Sequence, residues 1–480
     1  MADFLSLVAR VRAFEAGRTV RVATQRQVVL QPQALVLCTL AMAGEDTTVH
    51  AVAVGKVGKP AQVYVVPDPR FRDDHYALFG RLLGIVEPYF LRCRERGDFP
   101  QLWVSSGAGI AHLDTLADRL RYNQHSADAK RLGELLSYST ERSPTAGQQA
   151  LMSATAALRL HFATGQQDGE DEHLGALLTW IRPPPRQSVQ SAVELAERQP
   201  MGVNTDPEFD TVNLVPRLAD YNAARKRGAS KRELRQRADL ITAQLSPVVA
   251  PIYAAVQRAY TELQEFSRQE AAVLSELRRI EAAQFERFMH ARDAGYHLPY
   301  RDQPKGAAFR IADREQMIAL TKTAFIRCDS VARARAYLRG DVLRGTVQTV
   351  NVERVPHRSI HRLEVRTAQR TLRLRSGDEL ASIEDGRLCF EVTSVHRRGK
   401  YSVVILEVTK GMRCVGCPPV GAAVELGPSV PEWYRAQIER GQMSKRLANA
   451  PWTHTTNYPT TQPSDRARPR DLVRDLEKVR

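Results

Sequence analysis

The chain of 480 residues is short of cysteine, of aromatic residues and of unbroken apolar runs, and each shortage excludes something. Its six cysteines (Cys38, Cys93, Cys328, Cys389, Cys414, Cys417) follow no regular pattern, which rules out a dense disulfide framework and suits reduced thiols in a cytoplasm. No unbroken apolar stretch approaches the length of a transmembrane helix, so no membrane span is expected. The opening "MADFLSLVARVRAFEAGR" has apolar residues at helical spacing and carries Asp3 and Glu15, unlike the continuous apolar core of a secretory signal.

Catalytic signatures are missing as well. There is no G-x-x-x-x-G-K-[ST] loop, no G-x-G-x-x-G after a strand, no H-E-x-x-H and no G-x-S-x-G. The small-residue run "SSGAGIAHL" enters a helix but lacks the lysine that a nucleoside triphosphate site needs. "CVGC" (414–417) is a C-x-x-C without the second ligand pair of a zinc site, and the acidic run "QDGEDEH" (167–173) reads as a solvated loop. No catalytic residue, metal ligand or cofactor is assigned.

What the chain has in excess is positive charge. Lys and Arg number 69 against 54 Asp and Glu, a net charge of +15, which points to a polyanionic partner. The apolar content of 43% is enough for several cores, and the fold class expected is multidomain α+β.

Residues 1–123 read as an α/β domain on a mixed sheet. "ALVLCTLAM", "TTVHAVAVG" and "AQVYVVP" are three strands joined by turn chemistry. A helix from about Asp73 follows, capped by Asp73 or Asp74 and kinked or broken at Pro88; then come a strand "QLWVSS" and a helix over 110–123. The order β-β-β-α-β-α, with "LWVSSGAGIAHLDTLADRL" entering the second helix, resembles the ribonuclease H-like fold of proofreading-type exonucleases over residues 34–123. In that family paired acids on the first strand, with further acids on later elements, hold two metal ions. The first strand here has no Asp or Glu, so the resemblance implies a degenerate, non-cleaving copy. The alternative is a metal-dependent nuclease that gathers Asp68, Asp73, Asp74, Asp114 or Asp118.

Residues 124–230 read as helical, with "WIRPPPRQ" as punctuation. Residues 231–340 read as a helical stalk: Pro247 and Pro251 interrupt a first helix, and an apolar seam through Val256, Leu263, Phe266, Leu274, Leu277 and Ile280 suits an antiparallel hairpin or coiled coil. From 341 to 427 short strands return, as expected of a small β-barrel of the OB or SH3-like kind. Residues 428–480 read as a helix, a flexible linker and a short terminal helix.

The barrel carries the candidate binding site. In "HRLEVRT", Leu363 and Val365 face one way while Arg362, Glu364 and Arg366 face the other, a row of guanidinium groups with one carboxylate among them; "QRTLRLRS" is read as a second strand in which Arg373 and Arg375 face out in the same way. Arg354, Arg358, Arg370, Arg398 and Lys400 extend this row, a surface suited to phosphate oxygens. Phe390 and Tyr401 are its only aromatics. The function expected is non-enzymatic nucleic-acid binding, DNA rather than RNA, as accessory to a separate helicase or nuclease in DNA repair or defence against foreign DNA. The stalk-plus-barrel order resembles accessory elements of superfamily-1 helicases.

Overall fold

Residues 35–40, LVLCTL, offer an apolar side chain at every position but Thr39, so a strand built from them has two faces that avoid water. The computed structural model describes residues 4–45, 48–266, 270–296, 304–356 and 358–429. There this segment is β1 (Leu35–Leu40), buried throughout at the centre of a five-stranded sheet. β2 (Ala51–Lys56) and β3 (Gln62–Val65) follow as antiparallel neighbours, while β4 (Leu102–Val104) and β5 (Leu151–Ser153) run parallel on the other side. The order across the sheet is β3-β2-β1-β4-β5.

Each face is covered by helices. α1 (Arg72–Glu95), α2 (Gly107–Arg121) and α3 (Ala127–Arg142) form one layer, and α2 and α3 approach closely because residue 133 is Gly: a Cβ there would lie 2.2 Å from the Arg121 nitrogen. Asp73 and Asp74 fall in the first turn of α1, whose cap residue is Phe71.

α4 (Lys231–Phe266) forms the other layer, and Ile252, Tyr253, Val256, Ala259 and Leu263 pack against Val36, Cys38, Leu40, Ala51 and Ala53. The first part of the seam read as that of a stalk, Val256, Leu263 and Phe266, thus lies on α4, which covers β1, β2 and β3, while Leu274, Leu277 and Ile280 belong to the next helix. By length and composition alone α4 is also long and apolar enough to cross a membrane, a test that the core helix of a folded domain passes as well; the residues of its apolar seam are buried on the sheet.

The prolines do not break these helices. α1 runs through Pro88, and α4 runs through Pro247 and Pro251. Proline's fixed φ is compatible with a helix, and the hydrogen bond it removes is offset here by the burial of a long apolar face.

α5 (Val273–Asp293) returns along α1 and α3. Phe285 meets Phe90 and Tyr138 at ring distances of 5.7 and 5.1 Å. Beside them Glu281 is fully buried. Its carboxylate accepts two bonds from Arg142 (2.6 and 2.8 Å), one from the Gln149 backbone (3.1 Å) and one from the Tyr138 hydroxyl (3.3 Å), so the buried charge is paired and its lone pairs are used.

The chain then enters the barrel through α6 (Ser330–Arg339), capped by Asp329. One oxygen of Asp329 accepts from the Val331 and Ala332 nitrogens (2.8 and 3.0 Å), and the other from the nitrogen and hydroxyl of Thr24 (2.7 and 3.1 Å). Burial pushes this carboxyl up, but the donors from Thr24, Ala332 and Val331 outweigh it and hold it below its ordinary value. A single side chain therefore starts the helix and ties it to the N-terminal region.

The barrel is closed and antiparallel, of six strands: β6 (Leu343–Val355), β7 (Arg358–Thr367), β8 (Glu379–Ser382), β9 (Cys389–Arg398), β10 (Tyr401–Lys410) and β11 (Ala423–Pro428). Around the barrel they run β8-β9-β10-β7-β6-β11. Leu343, Val347, Leu363, Val365, Phe390, Val404 and Leu406 are among the side chains that fill it. Residues 371–376, expected as a strand, have no ladder partner and form an extended connection instead. They still alternate, since Leu372 and Leu374 lean on the core while Arg373 and Arg375 are exposed. Gly340 permits the close pass: its φ is +83°, a Cβ there would lie 1.8 Å from the Thr371 oxygen, and the Arg373 nitrogen donates to the Gly340 carbonyl (3.1 Å).

Removing the Glu281 carboxylate would take a charged acceptor from half-buried Arg142 and from the buried Tyr138 hydroxyl and Gln149 nitrogen. Glu281→Ala is expected to destabilise the protein by roughly 3–5 kcal/mol, read as a lower urea midpoint at unchanged slope.

Candidate functional site

Along β7, Leu363 and Val365 point into the barrel, and Arg362 and Arg366 point out. The register then separates the two arginines. Arg362 sits opposite Asn351 and Glu407 and forms ion pairs with Glu353 (3.0 Å) and Glu407 (3.5 Å). Arg366 sits opposite Thr346 and Val403, and its guanidinium lies 4.3 Å over the ring of Tyr401. The row is therefore neutralised at one end and open at the other.

The open end meets the β9–β10 hairpin. Its tip is Arg398, Gly399 and Lys400, with Gly399 at φ +60° as a tight turn demands; Arg398 pairs with Tyr401, and His396 lies across Val403 from Arg366. Arg370 follows Gln369, whose carbonyl accepts from the Ser402 hydroxyl of β10 (3.5 Å). Among the described residues, Arg366, Arg370, Arg397, Arg398 and Lys400 have no carboxylate partner. Sequence reasoning missed Arg397, whose only signal is its place in the "RRGK" turn.

The remaining candidates scatter. Arg373 and Arg375 are exposed on the 371–376 connection, and the Arg375 nitrogen donates to Asp378 (2.7 Å). Arg354 is exposed near the end of β6, and Arg358 opens β7 opposite Val355. Phe390 is buried in the barrel core and has no face to offer a base; Tyr401 is only half-buried.

Carboxylates in the N-terminal region are largely engaged by arginines. In the 167–173 loop, Asp168 and Glu172 pair with Arg159 (3.0 and 2.5 Å), and buried Asp171 accepts from Thr164 (2.5 Å) and pairs with Arg10 (3.1 Å). Asp68 is held by Arg225 (2.8 Å), which lies over Phe71, and Asp118 by Arg121 (2.7 Å). Asp73 and Asp74 open α1, whereas Asp114 and Asp118 lie on α2. Among the described residues no group of three or more His, Cys, Asp or Glu is placed to hold a metal ion.

On the α2 side of β1 the polar group is Thr39, whose hydroxyl is 2.7 Å from His112 Nδ1 in a buried pair. His50, just before β2, is fully buried, and neither ring nitrogen has a hydrogen-bond partner among the described residues. Burial lowers its pKa to about 4, against the opposing pull of Glu45 and Asp68, with His75 adding to the depression.

Comparison of the chain with protein-family models, with curated proteins and with solved structures gives no match.

His50 sets a pH dependence whose sign follows from these pKa values. The unfolded chain takes up a proton below its ordinary value of 6.5 while the folded chain resists until about 4, so stability falls as pH drops through that window. His161 behaves alike: it accepts from the Gln27 nitrogen (2.9 Å), faces the Ala157 carbonyl (2.7 Å), and burial lowers its pKa to about 4. Between pH 7 and pH 5, His50 should account for about 2 kcal/mol of lost stability. His50→Leu, which removes a buried polar group without partners, should shrink that loss and leave the share of His161; melts at both pH values give the comparison.

Proposed function

We propose that this protein binds nucleic acid, DNA rather than RNA, as a non-enzymatic accessory to a separate helicase or nuclease in the cytoplasm. The observation that carries the reading is that Arg366, Arg370, Arg397, Arg398 and Lys400 have no ion pair among the described residues, with Arg366 and Arg398 set against Tyr401. Guanidinium groups held on a rigid barrel and a hairpin tip, without ion-pair partners among the described residues, match the phosphates of a backbone. A half-buried tyrosine beneath Arg366 adds one flat surface on which a base could rest. In this reading the barrel serves as a nucleic-acid module of the OB or SH3-like kind.

The strand order β3-β2-β1-β4, with β2 antiparallel to both neighbours, supports the ribonuclease H-like reading of residues 34–123, and β5 extends the same sheet beyond them. The Thr39–His112 pair supports a non-cleaving copy, because the first strand offers a hydroxyl where that family has paired acids. A protein partner is supported by the helix Phe4–Ala16, whose Phe4, Leu7, Val11 and Phe14 are 49–69% exposed along one side. The role in DNA repair or in defence against foreign DNA belongs to the same proposal.

Salt dependence tests the binding surface. Changing Arg366, Arg370, Arg398 and Lys400 together to Gln should weaken binding on unrelated sequences and flatten the log–log salt slope by about 0.9 per lost phosphate contact on duplex, or about 0.7 on single strands. Arg362→Gln should do much less, since Arg362 already faces two glutamates. Equal slopes for wild type and the quadruple variant would refute the interface.

A further inference from the structure

A cleft of about 430 Å³ opens where the first turns of α1 meet the last turns of α2, and among the described residues that line it none is an acid. Its floor is apolar, made by Phe79, Leu116 and Leu120. Its rim carries the exposed side chains of Arg70, Arg72, Arg119 and His125. Glu45, just outside, accepts two bonds from one edge of the Arg70 guanidinium (3.1 and 2.8 Å), whereas Arg72 has no ion pair among the described residues.

The wall adds directional groups. The Nε2 of His75 lies 2.9 Å from the Val49 carbonyl, which can only accept, so this nitrogen carries the proton and Nδ1 is an acceptor. The His75 ring is fixed by stacking on Phe79 (5.7 Å between centroids, 6° between planes). The Tyr76 hydroxyl accepts from Asn123 (3.4 Å), which leaves its own proton to donate. A ligand that satisfies all three parts has an anionic end for the arginine rim, a body with apolar faces for the floor, and both donors and acceptors for the wall.

The geometry points to a phosphorylated nucleotide as the ligand of this cleft, either free or as the phosphate-bearing end of a strand. The volume lies in the usual range for small-molecule sites, and guanidinium groups over an apolar floor separate phosphate from base. This site is distinct from the barrel surface and does not depend on it.

Titration of the full-length protein with adenosine monophosphate tests the assignment. Saturable binding is expected, weakened about tenfold or more in the double variant Arg72→Gln with Arg119→Gln, and unchanged in the quadruple barrel variant. Adenosine without phosphate should bind about tenfold more weakly than the monophosphate. Equal binding of adenosine, unchanged affinity in the double variant, or no saturation would each overturn the proposal. Competition by a 5′-phosphorylated oligonucleotide but not by its 5′-hydroxyl counterpart would assign the ligand to a strand end; competition by neither would assign it to the free nucleotide. Because strand binding by the barrel is read from the salt slope and cleft binding from the monophosphate, one can fail without the other.

Discussion

The five-stranded sheet has two apolar faces, and folding requires both to be kept from water. One face is covered by α1, α2 and α3, which lie close to the strands in sequence. The other waits for α4, which begins at Lys231, long after the last strand of the sheet. Burying Ile252, Tyr253, Val256, Ala259 and Leu263 on Val36, Cys38 and Leu40 removes some of the most hydrophobic surface of the chain, and the segments between must route around this contact. α5 then follows α4 back onto α1 and α3, where Glu281 gathers Arg142, Tyr138 and Gln149. A helical region that could have stood away from the sheet is instead part of its core.

The same packing decides where the surplus positive charge is expressed. Many arginines are spent on neighbouring acids: Arg225 on Asp68, Arg142 on Glu281, Arg94 on Glu286 and Asp293, Arg159 on Asp168 and Glu172. The exposed pairs among these contribute little to stability, unlike the one at buried Glu281, but all of them cancel local potential. Arginines without an ion pair among the described residues occur at the β9–β10 hairpin beside Arg366, and Arg72 is another at the rim of the α1–α2 cleft. The first lies at a hairpin tip and the second at a concave pocket.

The strands and helices of both β-rich regions were legible in the sequence because alternation and turn residues are local signals. "ALVLCTLAM", "TTVHAVAVG" and "AQVYVVP" read as strands and contain the strands Leu35–Leu40, Ala51–Lys56 (which runs one residue past the second segment) and Gln62–Val65; Leu363 and Val365 read as inward and are inward. Periodicity also found the apolar seam of α4, yet it could not say what the seam touches. A stripe that would suit a partner helix suits a sheet equally well, and only the tertiary contact distinguishes them. Pro88, Pro247 and Pro251 misled for a related reason, since their local cost is visible in sequence while the burial that offsets it is not. Residues 371–376 alternate like a strand but have no edge to pair with, because the closed barrel leaves none free.

The candidate sites divide along the same line. The sequence by itself determined that the barrel would show arginines outward from β7, because period-two alternation fixes the face of every residue. It also determined that β1 would carry no carboxylate. Only the tertiary structure decided that Arg362 faces Glu353 and Glu407 while Arg366 faces Tyr401, because the neighbours come from β6 and β10 and their register is set by pairing across the barrel. The α1–α2 cleft was invisible in sequence, for its rim joins Arg70 and Arg72 to Arg119 and His125 across two helices whose approach depends on the sheet beneath them. Face is a property of one strand, whereas neighbourhood is a property of the whole fold.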